Sequence, residues 1–366
     1  MKTKLIAWYL PQYHCIPEND EFWGKGFTDW VTVKNAKPIY KGHQQPRIPL
    51  NNNYYDLSVK ENVAWQAKLA KEHGIYGFGI YHYWFNNEKN LLTRPVDLLL
   101  NNKEIGIHYF LAWDNASWKR SWSAVNGNAW TSIVDNNGET HNGSGILIPY
   151  ILGEEKDWEN HYYHLLKHFK DERYIKVDNK PLFVILQYDR IIDKMCNYWN
   201  ILSQNNGFKG MYFIFKNKRW VDWGNAIRFN YEPHFDGWEN PTIWERRLEK
   251  VQNLFKLPPK TMMYNYDTIW RRILKNAETS TINEYHGAFV SFDDSPRRSV
   301  RGRIVKGASP TKFKKYLSRL IDISEKQGKE FIFITAWNEW GEGAYLEPDN
   351  INKYKYLSAI KELTSP

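Results

Sequence analysis

The sequence predicts one (β/α)8 barrel over residues 1–366, with long loops after its third and sixth strands. Three observations predict it. Eight short apolar or aromatic runs recur along the chain, each suited to a strand buried on both faces. Amphipathic helical patterns lie between them, and such alternation builds parallel strands joined by helical crossovers. No G-x-G-x-x-G or G-x-x-x-x-G-K-[ST] follows the first run, which removes the usual reason to prefer an open nucleotide-binding sheet. Neither a fixed-period repeat nor a low-complexity linker divides the chain, so it reads as a single domain.

The strands are expected at Leu5–Tyr9, Gly77–Tyr83, His108–Ala112, Leu182–Gln187, Met211–Phe215, Ala226–Tyr231, Ala288–Phe292 and Phe331–Ala336. The sixth has the weakest pattern. Among the helices, Ser58-Val-Lys-Glu61 reads as a capping box, followed by Val63, Ala64, Ala67 and Ala70 on one face, with Gly74 past the end. Ser309-Pro310 opens another helix at N-cap and N1, its apolar face made by Phe313, Leu317, Leu320 and Ile321, and Gly328 closes it. Ser117–Tyr150, rich in Asn, Gly, Ser and Trp, and Pro233–Gly287, with room for at least two helices, are too long for simple connections. In a barrel both rise on the C-terminal face, where active sites are built.

Composition narrows the function. Eighteen Trp, 24 Tyr and 18 Phe make the chain 16% aromatic, which suits either a ring-filled core or a cleft that stacks sugars. The net charge is +9, but Arg246–Arg247, Arg297–Arg303 and Lys312 with Lys314 and Lys315 are short, scattered basic stretches. They describe a solvated surface and predict no nucleic-acid partner. Cys15 and Cys196 cannot build a disulfide framework or a four-ligand zinc site by themselves. The first apolar run stops at Pro11, too soon for a signal sequence, and no run approaches the ~20 residues of a membrane span. A cytoplasmic location is expected. With no H-E-x-x-H, no metal-ligand spacing and no G-x-S-x-G elbow, no metal and no cofactor are expected.

The sharpest chemical feature follows the eighth strand: Trp337-Asn338-Glu339-Trp340-Gly341-Glu342-Gly343. Two glutamates three residues apart have Cα atoms at most about 10 Å from each other. That spacing suits acid/base work across one glycosidic bond, and an apolar setting splits the two pKa values. A helix cap or a surface ion pair is the alternative for either residue. Polar and aromatic groups gather at other strand ends: Tyr9 and Gln12; His82 and Trp84; Trp113, Asn115 and Trp118; Tyr231 and Glu232; and Asp293. With Trp337 and Asn338 these are the candidate substrate-binding residues. Singly, each ring is better explained by packing, and each histidine at least as well by a satisfied core position. Together they suit a sugar-binding cleft. Asp293-Asp294 could hold a divalent ion but is also a common loop sequence.

Longer motifs carry a resemblance. Tyr9-Leu-Pro-Gln-Tyr-His14, Phe22-Trp-Gly-Lys-Gly-Phe-Thr-Asp-Trp30, Gly42-His43 through Gln45-Pro46, Tyr83-Trp-Phe85, Ser295-Pro-Arg297 and Trp337 through Gly343 resemble WbsX-type proteins across essentially the whole chain. Those proteins are often labelled glycosyltransferases and are encoded among bacterial surface-polysaccharide genes. That family is in turn similar to the endo-α-1,2-mannosidase glycoside hydrolases, which are (β/α)8 barrels. The resemblance implies that Glu339 deprotonates the substrate's 2-hydroxyl, which displaces the leaving group to form a 1,2-anhydro sugar. It implies that Glu342 protonates the leaving oxygen and then activates water, and that Tyr231 is an aromatic cleft residue. The N-terminal motifs differ from those of the endomannosidases, so mannose specificity is not implied. The expected function is a glycoside hydrolase-like enzyme on an oligosaccharide or polysaccharide. A glycosyltransferase of O-antigen or capsule assembly and a non-catalytic glycan-binding protein are the alternatives.

Overall fold

The structure is a computed structural model that describes residues 2–119, 133–134, 140–141, 145–218, 221–239 and 261–365. Eight parallel strands close into a barrel: β1 (Lys4–Tyr9), β2 (Gly77–Asn86), β3 (His108–Trp113), β4 (Lys180–Ile185), β5 (Tyr212–Lys216), β6 (Arg228–Phe229), β7 (Glu284–Phe289) and β8 (Phe331–Thr335). Each strand pairs with the next in chain order, and β8 returns to β1, with Ala7 opposite Ile334 while Tyr9 meets Ile80 of β2. Each of the eight therefore has a neighbour on both sides, which removes the open edges of a flat sheet. The helices α1 (Lys60–Glu72), α2 (Arg94–Asn101), α3 (Glu155–Phe169), α4 (Ile192–Asn205), α5 (Tyr266–Glu278), α6 (Pro310–Lys326) and α7 (Lys355–Thr364) pack around it.

Several expectations shift by a few residues, each for a physical reason. The seventh strand starts at Glu284, four residues before the apolar run at Ala288. Its charged first residue is tolerated because Arg228 Nη2 and Asn230 Nδ2 both donate to the Glu284 carboxylate at 2.9 Å. The sixth strand shrinks to two residues, and no helix separates it from β5 among the described residues of 217–227. The capping box at Ser58 does not form: Val59 is the N-cap of α1 and no side chain caps it. At the start of α6, by contrast, the Ser309 side chain accepts from Lys312 N at 3.3 Å with proline following. Of the two long segments, 120–132, 135–139, 142–144 and 240–260 lie outside the described residues. The second holds α5 and a short helix at His234–Gly237.

Rings fill the barrel. The Trp8 indole lies 4.9 Å from Phe229, 5.4 Å from Phe333, 5.7 Å from Phe110 and 6.0 Å from Tyr81, so one side chain of β1 touches four other strands. Gly79 of β2 makes the room, since a Cβ there would sit 2.7 Å from both Trp8 and Phe110. Trp113, Trp199, Trp270, Trp337 and Trp340 are also fully enclosed. Most of the aromatic surplus is therefore core.

Candidate active site

After β8 the chain forms a hairpin of two short strands, Asn338–Glu339 and Ala344–Tyr345, joined by the tight turn Trp340–Glu342. Gly343 closes that turn at φ +58°, where a side chain is disfavoured, and an added Cβ would press on Asp293 at 3.0 Å. The hairpin is tied down on every side. Asn338 Oδ1 accepts from Leu10 N at 2.7 Å and its Nδ2 donates to Leu10 O at 2.9 Å, clamping the turn to the end of β1. The Tyr13 hydroxyl donates to Asn338 O at 2.6 Å and accepts from Trp340 N at 3.2 Å. Below, the buried Glu347 carboxylate accepts from Trp340 Nε1 at 2.6 Å, Gln66 Nε2 at 2.7 Å and Tyr55 Oη at 2.8 Å. Burial pushes Glu347 up to about 7, partly offset by these donors.

This frame presents Glu339 and Glu342 to one cation. Arg297 Nη1 donates to Glu342 at 2.8 Å, while Nη2 lies 3.2 Å from Glu339 and 3.2 Å from Asp29. Three carboxylates thus surround a single guanidinium. Burial works against the Arg297 charge, but Asp29, Glu339 and Glu342 hold its pKa well above the ordinary value. Glu339 is only 4% exposed. Burial first, and the Glu342 charge second, lift its pKa to about 8 against the opposing pull of Arg297. Tyr81 and Tyr231 share a 2.7 Å hydrogen bond in the facing wall.

These groups line a cleft of about 240 Å³ at the C-terminal mouth of the barrel. Every strand end contributes: Leu10 and Gln12, Tyr81 and Tyr83, Asp114, Leu186 and Gln187, Lys216, Tyr231, Arg297, then Glu339 and Glu342. Trp118 and Asp29 complete that wall. Of the residues singled out by sequence, Gln12, Trp118, Tyr231, Glu339 and Glu342 meet there. The others stand behind it. Tyr9 donates to Gln66 at 2.7 Å, and Trp337 packs on Phe78. His82 lies 2.8 Å from His161, both depressed in pKa by burial, and Trp84 stacks on that same ring at 4.5 Å. Trp113 donates to Trp84 O at 2.8 Å, and the Asn115 carboxamide pairs with the Gln187 backbone at 2.7 and 2.8 Å. Glu232 is buried and accepts from Asp236 N at 3.1 Å. Asn338 is the clamp already described. Asp293 takes His43 and Gln45 at 2.8 Å each, and its own N–H donates to Glu342 O at 2.6 Å. Burial would raise Asp293, yet Arg47 and its hydrogen bonds hold it below its ordinary value.

Sequence reasoning passed over Asp29 and Lys216; Tyr81, Tyr83, Asp114 and Arg297 lie in the strand-end segments it read as a cleft but were not among the candidate residues. Burial raises Asp114 to about 6, with Lys216 pulling the other way. Strand alternation was the available signal: along β2 the odd positions 81 and 83 face the cleft while 82 and 84 face outward. Nothing in the local sequence says which parity points inward. Among the described residues, no group of three or more His, Cys, Asp or Glu is arranged to hold a metal ion.

Comparison with known proteins agrees with this architecture. The endo-α-mannosidase of family GH99 from Bacteroides thetaiotaomicron has a TM-score of 0.54 at 14% identity, covering 98% of this chain and 96% of that one. A glycoside hydrolase-like protein has a TM-score of 0.59 at 13% identity, covering 100% and 94%. The uncharacterized protein WxcX of Xanthomonas campestris pv. campestris is 29% identical over 99% of this chain. The match takes in 50% of WxcX, so the chain spans about half the length of the curated relatives it matches. The family profile described as glycosyltransferase WbsX matches residues 5–360, and the chain belongs to that WbsX family.

Proposed function

We propose that this chain cleaves a glycosidic bond in a bacterial surface polysaccharide or its precursor, as a retaining, endo-acting glycoside hydrolase. The observation that carries the reading is the pair Glu339 and Glu342, joined through one guanidinium at the mouth of a closed barrel. Following the endomannosidase resemblance, Glu339 removes the proton from the sugar's 2-hydroxyl as that oxygen attacks C1. Glu342 gives its proton to the departing glycosidic oxygen, leaving a 1,2-anhydro sugar and a neutral leaving alcohol. Glu342 then takes a proton from water as the water opens the anhydro ring at C1, and Glu339 returns its proton to O2. Two inversions give net retention, without the carboxylate ester of the common retaining scheme.

The charge arrangement supports this chemistry. With Glu339 raised to about 8, the pair keeps one proton near neutrality. One proton for two carboxylates is the number the first step needs, with Glu342 protonated and Glu339 ionised. In the empty cleft that proton rests on Glu339, so the first step needs it to pass to Glu342 once substrate is bound. Above pH 8 the proton is lost and the acid with it. The kcat/KM profile is therefore expected to fall with a midpoint near 8, and a flat profile to pH 9.5 contradicts the assignment.

The family description favours a second reading, transfer of sugar to an acceptor other than water. The two part in one experiment: incubation with bacterial polysaccharides and oligosaccharides, with and without nucleotide-sugars, followed by mass spectrometry. Nucleotide-independent shortening is the expected result. Growth of products only when a nucleotide-sugar is present reverses the reading. Binding without turnover under either condition favours a glycan-binding protein.

A further inference from the structure

A second hollow, of about 390 Å³, lies behind the Glu339–Glu342 turn. It is lined by residues 49–53 and Tyr55, by Pro348 and Tyr354, and by Trp65 of α1. The first two segments are joined by Leu50 N to Pro348 O at 2.9 Å and Asn350 N to Ile48 O at 3.0 Å. Trp340 and Glu347, bonded to each other at 2.6 Å, also line it. Cleft and hollow therefore lie on two faces of one short loop.

The lining is chemically distinctive. Asn51, Asn52 and Asn53 offer three consecutive carboxamides, the first two exposed, and none makes a side-chain hydrogen bond to another described residue. Beside them stand the half-buried Trp65 and the Tyr354 ring, 44% exposed. Among the described residues no lysine, arginine or histidine lines the hollow, so nothing there neutralises a phosphate or carboxylate. Its one carboxylate among them, Glu347, is already engaged by Tyr55, Gln66 and Trp340. A carboxamide offers a donor and an acceptor side by side, the complement of two neighbouring hydroxyls. A ring supplies the flat apolar surface that a sugar's C–H face needs. The volume sits at the lower end of the roughly 300–1,000 Å³ of small-ligand sites, room for one or two rings.

We infer that this hollow is a second, non-catalytic glycan site that binds a neutral sugar unit. The choice of sugar over other neutral polyols rests on the carbohydrate reading of the cleft. The site holds polymer beside the barrel mouth while the cleft works on another part of it.

The test is ligand-detected saturation-transfer NMR with neutral methyl glycosides (α-mannoside, α-glucoside, α-rhamnoside and β-N-acetylglucosaminide) and a methyl glucuronide as the charged control. Asn51 and Asn52 have φ of 58° and 55°, so Asn51→Gly with Asn52→Gly removes both carboxamides without straining the backbone. Tyr354→Ala, at an exposed ring, is the second variant. At least one neutral glycoside is expected to bind the intact protein, the glucuronide more weakly. Its signal is expected to drop at least five-fold in both variants, while cleavage of a short oligosaccharide stays unchanged. An undiminished signal in both variants, or no binding by any neutral glycoside, overturns the site. Variant-sensitive binding without any cleavage keeps the site and removes the hydrolase reading; cleavage without variant-sensitive binding does the reverse.

Discussion

Asp29, Glu339 and Glu342 share one cation, Arg297, and that imbalance governs the residue scale. The pKa of Glu339 lies at about 8 in the folded chain against an ordinary 4.5, so between those values the folded state holds more protons than the unfolded one. The contribution of Glu339 to stability is then full below about pH 4.5 and declines as pH rises toward 8. Glu339→Gln removes this burden. The variant is expected to melt progressively higher than the parent as pH goes from 5 to 8.5, while losing turnover. Thermal melts at the two pH values check it; a parent that gains on the variant with rising pH contradicts it. Both glutamates were legible in sequence as neighbours at the end of an apolar strand, with an ion pair as one of their readings. Arg297 and Asp29 were not, since their meeting joins positions 268 residues apart.

At the scale of elements, clamp and core carry the load. Asn338 links the turn after β8 to Leu10 after β1 by two hydrogen bonds. Asn338→Ala leaves two buried backbone groups unpaired and is expected to cost about 1–3 kcal/mol, with a fall in kcat from a loosened Glu339. Equilibrium unfolding in urea at unchanged m measures the first part. Gly79→Ala pushes a methyl group into Trp8 and Phe110, and overpacking of this kind costs about 1–3 kcal/mol. A midpoint as high as the parent's would mean that the ring cluster yields. The strand ends were readable from apolar runs, but the face of each residue was not. His82 and Trp84 were singled out, whereas Tyr81 and Tyr83 face the cleft, because strand parity is fixed by packing against the whole barrel. Likewise β7 begins at Glu284, a polar start made possible by Arg228 and Asn230 from elsewhere in the chain.

The whole molecule is a closed barrel whose eight strand ends all reach one cleft. Strand and helix alternation made that architecture visible in sequence, because each crossover must bury a helix on the outside of parallel strands. Less visible was the role of the segment between β1 and α1, which supplies Gln12 and Asp29 to the cleft and Asn51–Asn53 to the hollow behind it. Among the described residues no helix is long and apolar enough to cross a membrane. The chain's relatives in Xanthomonas are about twice as long as the matched region, so this barrel is one part of what they carry.

The most direct measurement of the central claim compares Glu342→Gln with the parent on the glycan that the parent cleaves. The loss of a general acid typically costs 10²–10⁴ in rate, so kcat is expected to fall by about a thousand-fold. The melting temperature is expected to hold, because the carboxamide of the variant would still offer Arg297 an oxygen at the same position. A variant that retains turnover within a factor of about ten, at unchanged stability, would contradict the assignment of Glu342 as the acid and, with it, the hydrolytic pair.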